Sequence, residues 1–195
     1  ENGSHNRYIT PGGNTRNPAS YALHADHVFQ WVARYGHNKN IDPSLLRPIE
    51  WQRKDPGLGY INYFENWNEQ DRWWNGEPAY FNTYQYSAMT SADYDGHMGT
   101  MGTTYGSKNA DPSVKFVMGG TTNIDIDYVK AMKFWSDYNR NGSFPADVLN
   151  FHHYSNNGGG QDASATMGIS PEEDNFEEKL RDLVTWCNTN LPGKE

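Results

Sequence analysis

The sequence predicts an α/β fold, a parallel sheet with helical crossovers, and more narrowly a part of a (β/α)8 TIM barrel. Four observations predict it. Helix and strand patterns alternate along the chain, which is the signature of strands joined by crossover helices. The units recur roughly every 40 residues, within the range of a barrel with long loops. The chain has 195 residues, whereas eight units take about 250. It also stops at LPGKE, a segment of the kind that leads from a helix into a strand. The expectation is therefore an interior piece of a larger barrel.

Each element has its own signal. Asn17-Pro18 reads as a helix start, an asparagine cap followed by a proline pre-set for the first turn. Leu23, His27, Val28, Trp31, Val32 and Tyr35 follow at three-to-four spacing, and Gly36 stops them. LGYINYFENWN (58–68) reads as a buried strand ending at Asn68-Glu69. Pro78 opens a second helix with Phe81, Tyr84 and Ala88 on one face and Gly96 near its end. VKFVMGG (114–120) is a short apolar strand closed by glycines, and a third helix carries Val129, Met132, Trp135 and Tyr138. DVLNFHHY (147–154) reads as a further strand, followed by the glycine-rich loop NNGGGQD. In the last helix Ser170 and Glu173 form a capping box, and Phe176, Leu180, Leu183, Val184 and Cys187 supply the buried stripe.

Composition excludes several classes. Lys and Arg total 16 against 24 Asp and Glu, a net charge of −8, which argues against nucleic acid and anionic membrane surfaces. No apolar run approaches the length of about 18 residues that a membrane span needs. ENGSHNRYITPGG lacks the basic start and apolar middle of a signal peptide. One cysteine rules out a disulfide framework within the chain. Hydrophobic content is only 35%, yet there are 7 Trp, 13 Tyr and 8 Phe. Such an excess of rings suits a protein that stacks them on sugars.

YFENWNEQDRWW is the centre of the functional reading. In barrels, chemistry sits at the carboxyl ends of strands. Alternation puts Glu65, Trp67 and Glu69 on one face and Asn66 and Asn68 on the other, until the strand end relaxes the rule. Glycoside hydrolysis needs one carboxylic acid to protonate the leaving oxygen and a second carboxylate across the bond. A glutamate at a strand end meets the first need, and the asparagine before it is suited to hold a sugar hydroxyl. His152 and Tyr154 follow about two units later and share strand parity, so they can face the same side, with His153 opposite.

On these residues the chain resembles the clan A glycoside hydrolases, retaining (β/α)8 enzymes, and is most similar to family 39, with families 5 and 51 as near alternatives. WNEQD resembles the motif that closes strand four in that clan, and HHY contains the His-x-Tyr pair of strand six. The resemblance implies Glu69 as general acid/base, Asn68 as the contact to the 2-hydroxyl, and His152 and Tyr154 as substrate-site residues. Gln70 stands where the family usually has proline. The whole chain, 1–195, is then a part of one catalytic barrel domain, covering about helix 3 to helix 6 with strands 4, 5 and 6 and stopping before strand 7. The nucleophile, a strand-seven glutamate, is expected beyond residue 195, on the remainder of the barrel in the same protein. The chain by itself is expected to be inactive.

Other residues keep a plainer reading beside the chemical one. Glu65 is expected to be a structural carboxylate with a polar or basic partner, because buried acids need one. Trp73 and Trp74 form a sugar-stacking platform or ordinary rim packing. The adjacent histidines point to opposite faces and cannot readily share an ion, so no metal site is expected. Cys187 reads as core. The substrate class is an oligo- or polysaccharide, no cofactor is required, and a secreted or periplasmic location follows from that class. The rival reading is a non-catalytic carbohydrate-binding protein on a degenerate barrel. A third is a plain α/β interaction domain.

Overall fold

The computed structural model describes residues 9–155 and 168–195. It corrects the barrel expectation. Among the described residues the sheet has two strands, β1 (Tyr63–Asn68) and β2 (Lys115–Gly120), paired in parallel from Tyr63 opposite Lys115 to Asn68 opposite Gly120. Five α-helices accompany them among the described residues: α1 (Ala22–Tyr35), α2 (Thr83–Asp95), α3 (Ser107–Ala110), α4 (Ile126–Asn139) and α5 (Phe176–Asn190). This is a small α/β domain, not strands 4, 5 and 6 of a TIM barrel.

The segment expected as a third strand, 147–154, forms no strand of its own and joins β2 and the residue after it through isolated bridges, Val117–Val148 and Thr121–Phe151. Between the bridges the Leu149 N–H donates to Glu195 O on the other edge, and the Asn150 side-chain amide donates to Glu65. Alternating helix and strand patterns report the crossovers. They do not count the strands that complete a ladder.

Boundaries shift for local reasons. Asn17 does cap, accepting from the Ala19 N–H, but the first turn is a 3-10 helix, Pro18–Tyr21, and α1 begins behind it. Its buried face is Ala25, Val28, Phe29, Val32 and Ala33, while Leu23 and Trp31 are exposed. Helix α2 starts at Thr83 rather than Pro78, because Asn82 and Gln85 form a reciprocal capping box. Gly96, left-handed at φ 65°, ends it. Ser170 and Glu173 do exchange the two capping hydrogen bonds, yet they close a turn, and α5 begins only after Asn175 at φ 54°. Of its expected stripe only Leu183 is buried, and Leu180 and Val184 lie open. Cys187 is half-buried at the margin of the core. The glycine-rich loop NNGGGQD lies outside the described residues.

Helix α2 covers one face of the sheet. Phe116 and Met118 of β2 are fully buried there, and Tyr94 of α2 meets the Phe116 ring edge-on at 5.6 Å. Tyr86, fully buried, fixes the register at the carboxyl ends. Its hydroxyl donates to Asn66 O at 2.9 Å and accepts from the Gly119 N–H at 2.8 Å. Burial pushes this phenol far above its ordinary pKa, so it stays a neutral donor and acceptor. The opposite face of β1, with Tyr63 and Glu65, is open.

Candidate functional site

The loops leaving the carboxyl ends of β1 and β2 are tied together residue by residue. The Glu69 N–H donates to Gly120 O at 2.8 Å. The buried Gln70 amide donates to Gly119 O at 2.8 Å. Asp71 takes both the N–H and the hydroxyl of Thr122, at 3.0 and 2.7 Å. The His152 N–H donates to Thr121 O at 2.8 Å. These bonds bring three segments distant in sequence to one end of the sheet.

Strict alternation ends at Trp67. Its φ is 85° and that of Glu69 is 50°, left-handed values that residues with a Cβ seldom adopt. Trp67 turns toward the helices, meeting His24 at 5.7 Å and Phe81 at 5.4 Å. The strain is held by its surroundings and lies next to the most functional-looking carboxylate of the chain, as strained backbone often does.

Glu69 Oε1 accepts from the Tyr154 hydroxyl at 2.6 Å and pairs with His152 Nδ1 at 2.8 Å. The hydroxyl and the ring nitrogen are 3.3 Å apart. Arg72 Nη1 lies 4.0 Å from Oε2, and its other nitrogen, Nη2, donates to Asn68 O. Burial pushes the Glu69 pKa up, but the hydrogen bonds from Tyr154 and His152, with the charges of His152 and Arg72, outweigh it. The carboxyl is held below its usual range. As it stands, Glu69 is an ionised acceptor with two donors on one oxygen.

The structure thus brings together Glu69, His152 and Tyr154, and not the other candidates. Asn68 keeps an exposed side chain. Trp73 and Trp74 line a separate cleft with Asp71, Tyr80 and Asp125, whose walls include none of the three clustered residues. His153 points the other way, onto Phe176 and Asp174. Glu65 is exposed and accepts from the Asn150 amide at 2.8 Å and the Gly120 N–H at 3.3 Å. Its partners are polar rather than basic. Among the described residues no group of three His, Cys, Asp or Glu is arranged to hold a metal ion, and no helix is long and apolar enough to cross a membrane.

Sequence reasoning missed Arg72 and Gly120. Arg72 stands three residues after Glu69 in a turn, a spacing that signals a possible ion pair. Gly120 had no signal of its own beyond closing the strand. A Cβ there would sit 2.7 Å from His152 Nε2, so glycine is what lets the imidazole pack over β2 and reach Glu69. Compared with known proteins, the chain matches no family model, and no curated protein or solved structure is significantly similar to it.

Proposed function

We infer that the protein is a retaining glycoside hydrolase of oligo- or polysaccharides, with Glu69 as general acid/base. The observation that carries this is the double hydrogen bond of Tyr154 and His152 to one oxygen of Glu69 at the carboxyl end of the sheet. In the first half of such a reaction the acid protonates the leaving oxygen while a second carboxylate attacks the anomeric carbon. In the second half the ionised glutamate takes a proton from the attacking water. The low pKa of Glu69 suits the second half directly. The first half needs a negative charge nearby to raise it, and the nucleophile's own carboxylate, about 5 Å away in retaining enzymes, supplies that charge until it is esterified. No described residue is assigned to the nucleophile, which this reading expects beyond residue 195. A secreted or periplasmic location belongs to the same reading.

One observation favours a second reading, a non-catalytic carbohydrate-binding protein. An ionised Glu69, held in place through one oxygen, is also a good fixed acceptor for sugar hydroxyls. Substitution separates the two, measured on the protein that carries both carboxylates. Glu69→Ala is expected to lower turnover of unactivated oligosaccharides by at least a thousandfold and that of activated aryl glycosides much less, because their leaving group needs little protonation. Azide, attacking the glycosyl-enzyme in place of water, then restores turnover and yields a glycosyl azide of retained configuration. Equal losses on both substrates without azide rescue remove Glu69 from the acid/base role. Saturable sugar binding without turnover by the unsubstituted protein selects the binding reading.

A further inference from the structure

We propose that the cleft between the loop after β1 and the loop before α4 is a second saccharide site, binding the pyranose rings of a neutral oligosaccharide away from Glu69. The inference rests on the carbohydrate reading for its choice of ligand and on a different set of residues for everything else. The cleft holds about 550 Å³, within the few hundred to a thousand Å³ of small-molecule sites. Trp73 and Trp74 stand at its wall with ring centroids 6.0 Å apart and planes at 85°. They are 73% and 54% exposed. The two rings stand open side by side at the wall of the cleft, and a perpendicular pair makes a corner. One indole offers its face to the C–H side of a sugar ring while the other closes the rim.

The rest of the lining is polar and already braced. Asp71 is fixed on Thr122, Asp125 accepts from the Asp127 and Tyr128 N–H groups at the start of α4, and Asp127 pairs with Lys130. Each carboxylate therefore has its charge partly met and keeps lone pairs that sugar hydroxyls can donate to. The acidic lining repels uronic acids and other anions. With each carboxylate already engaged by donors of the chain, an uncharged polyol fits better than a cation. Because Asp71 is only two residues beyond Glu69 and its partner Thr122 only two beyond Gly120, the cleft and the Glu69 cluster share one rigid frame. A chain seated on the tryptophans is thereby held in register with Glu69.

The test is binding, read by nuclear magnetic resonance on the 195-residue chain. The seven indole N–H signals are followed while xylohexaose, cellohexaose, mannohexaose and, as a cationic comparison, a glucosamine hexamer are added separately, with Trp73→Phe and Trp74→Phe identifying the two signals. At least one hexaose is expected to shift both signals saturably. Trp73→Ala is expected to weaken that binding tenfold or more, and Glu69→Gln to leave the two shifts in place. Silence of both indoles toward all three sugars, binding unaffected by Trp73→Ala, or a response confined to cationic glucosamine oligomers overturns the proposal. Silent indoles beside Glu69-dependent hydrolysis, measured on the protein that carries both carboxylates, sink the cleft alone. Responding indoles beside hydrolysis indifferent to Glu69 sink the glycosidase reading alone.

Discussion

Two adjacent glycines, Gly119 and Gly120, govern the Glu69 cluster in different ways. A Cβ on Gly119 would lie 2.5 Å from Asn66 O and 2.8 Å from Trp67 O, both backbone atoms that cannot move aside. A Cβ on Gly120 would meet the His152 ring at 2.7 Å, and a ring can swing away. Gly119→Ala is therefore expected to destabilise the fold by about 2 kcal/mol, and Gly120→Ala by much less. The second substitution instead costs Glu69 its histidine partner. Because that partner helps to hold the carboxyl below its usual range, the Glu69 pKa is expected to rise in Gly120→Ala, read from its side-chain carboxyl resonance against pH. An unchanged titration would mean that His152 does not help to set it. At this scale the sequence was partly legible. Strand parity grouped His152 with Tyr154, and the strand-end glutamate was plain. The left-handed turns at Trp67 and Glu69 were not, since neither residue type asks for a positive φ and only the tertiary frame imposes it.

Helices α1 and α2 are joined by an ion pair that no periodicity announces. His24 Nδ1 lies 2.9 Å from Asp93 Oδ1, and the Asp93 side chain is fully buried. Burial alone would lower the His24 pKa, but the charge and hydrogen bond of Asp93 outweigh it, and the net shift is upward. A folded pKa above the unfolded value means that the stabilisation is full below about pH 6.5 and is lost as pH rises through the folded pKa. Thermal unfolding from pH 6 to 9 is expected to show declining stability, and His24→Gln to flatten that decline. A slope identical in the two proteins would detach it from this pair. Element existence was legible in the caps and apolar stripes, element ends less so. Pro78 lost to the Asn82–Gln85 box because a reciprocal cap satisfies two helix N–H groups, whereas a proline only tolerates a helix start.

For the molecule as a whole, what the sequence hid is how many strands pair, because periodicity is a property of a segment and a ladder is a property of two. Asp147 shows the difference. It lies in the segment read as a strand, yet its side chain works as a hub. It accepts from the Phe116 N–H of β2 at 2.8 Å and the Tyr94 hydroxyl of α2 at 2.9 Å, and it pairs with Lys108 of α3 at 2.5 Å. Lys194, near the chain end, lies 3.8 Å away. Burial pushes the carboxyl up, but Lys108, the Phe116 N–H and Tyr94 together hold it below the usual range. Asp111, fixed by Ser113 and the His37 and Asn38 N–H groups against its own burial, is shifted the same way. With folded values depressed, both contribute full stability above the unfolded pKa of about 4 and lose it as pH falls through the folded pKa. The fold is thus expected to weaken steeply below about pH 4. Asp147→Asn removes the charge that four elements share, and is expected to cost about 2 kcal/mol at pH 7, a buried-pair loss discounted for partial exposure. Its deficit against the unsubstituted protein must shrink in acid, where Asp147 is protonated in both states and the amide and the acid are nearly equivalent. Urea unfolding at pH 7, 5, 4 and 3 measures this directly. A deficit that stays constant across that series would mean that Asp147 contributes shape alone, and that its charge does not hold the sheet, α2, α3 and the chain end together.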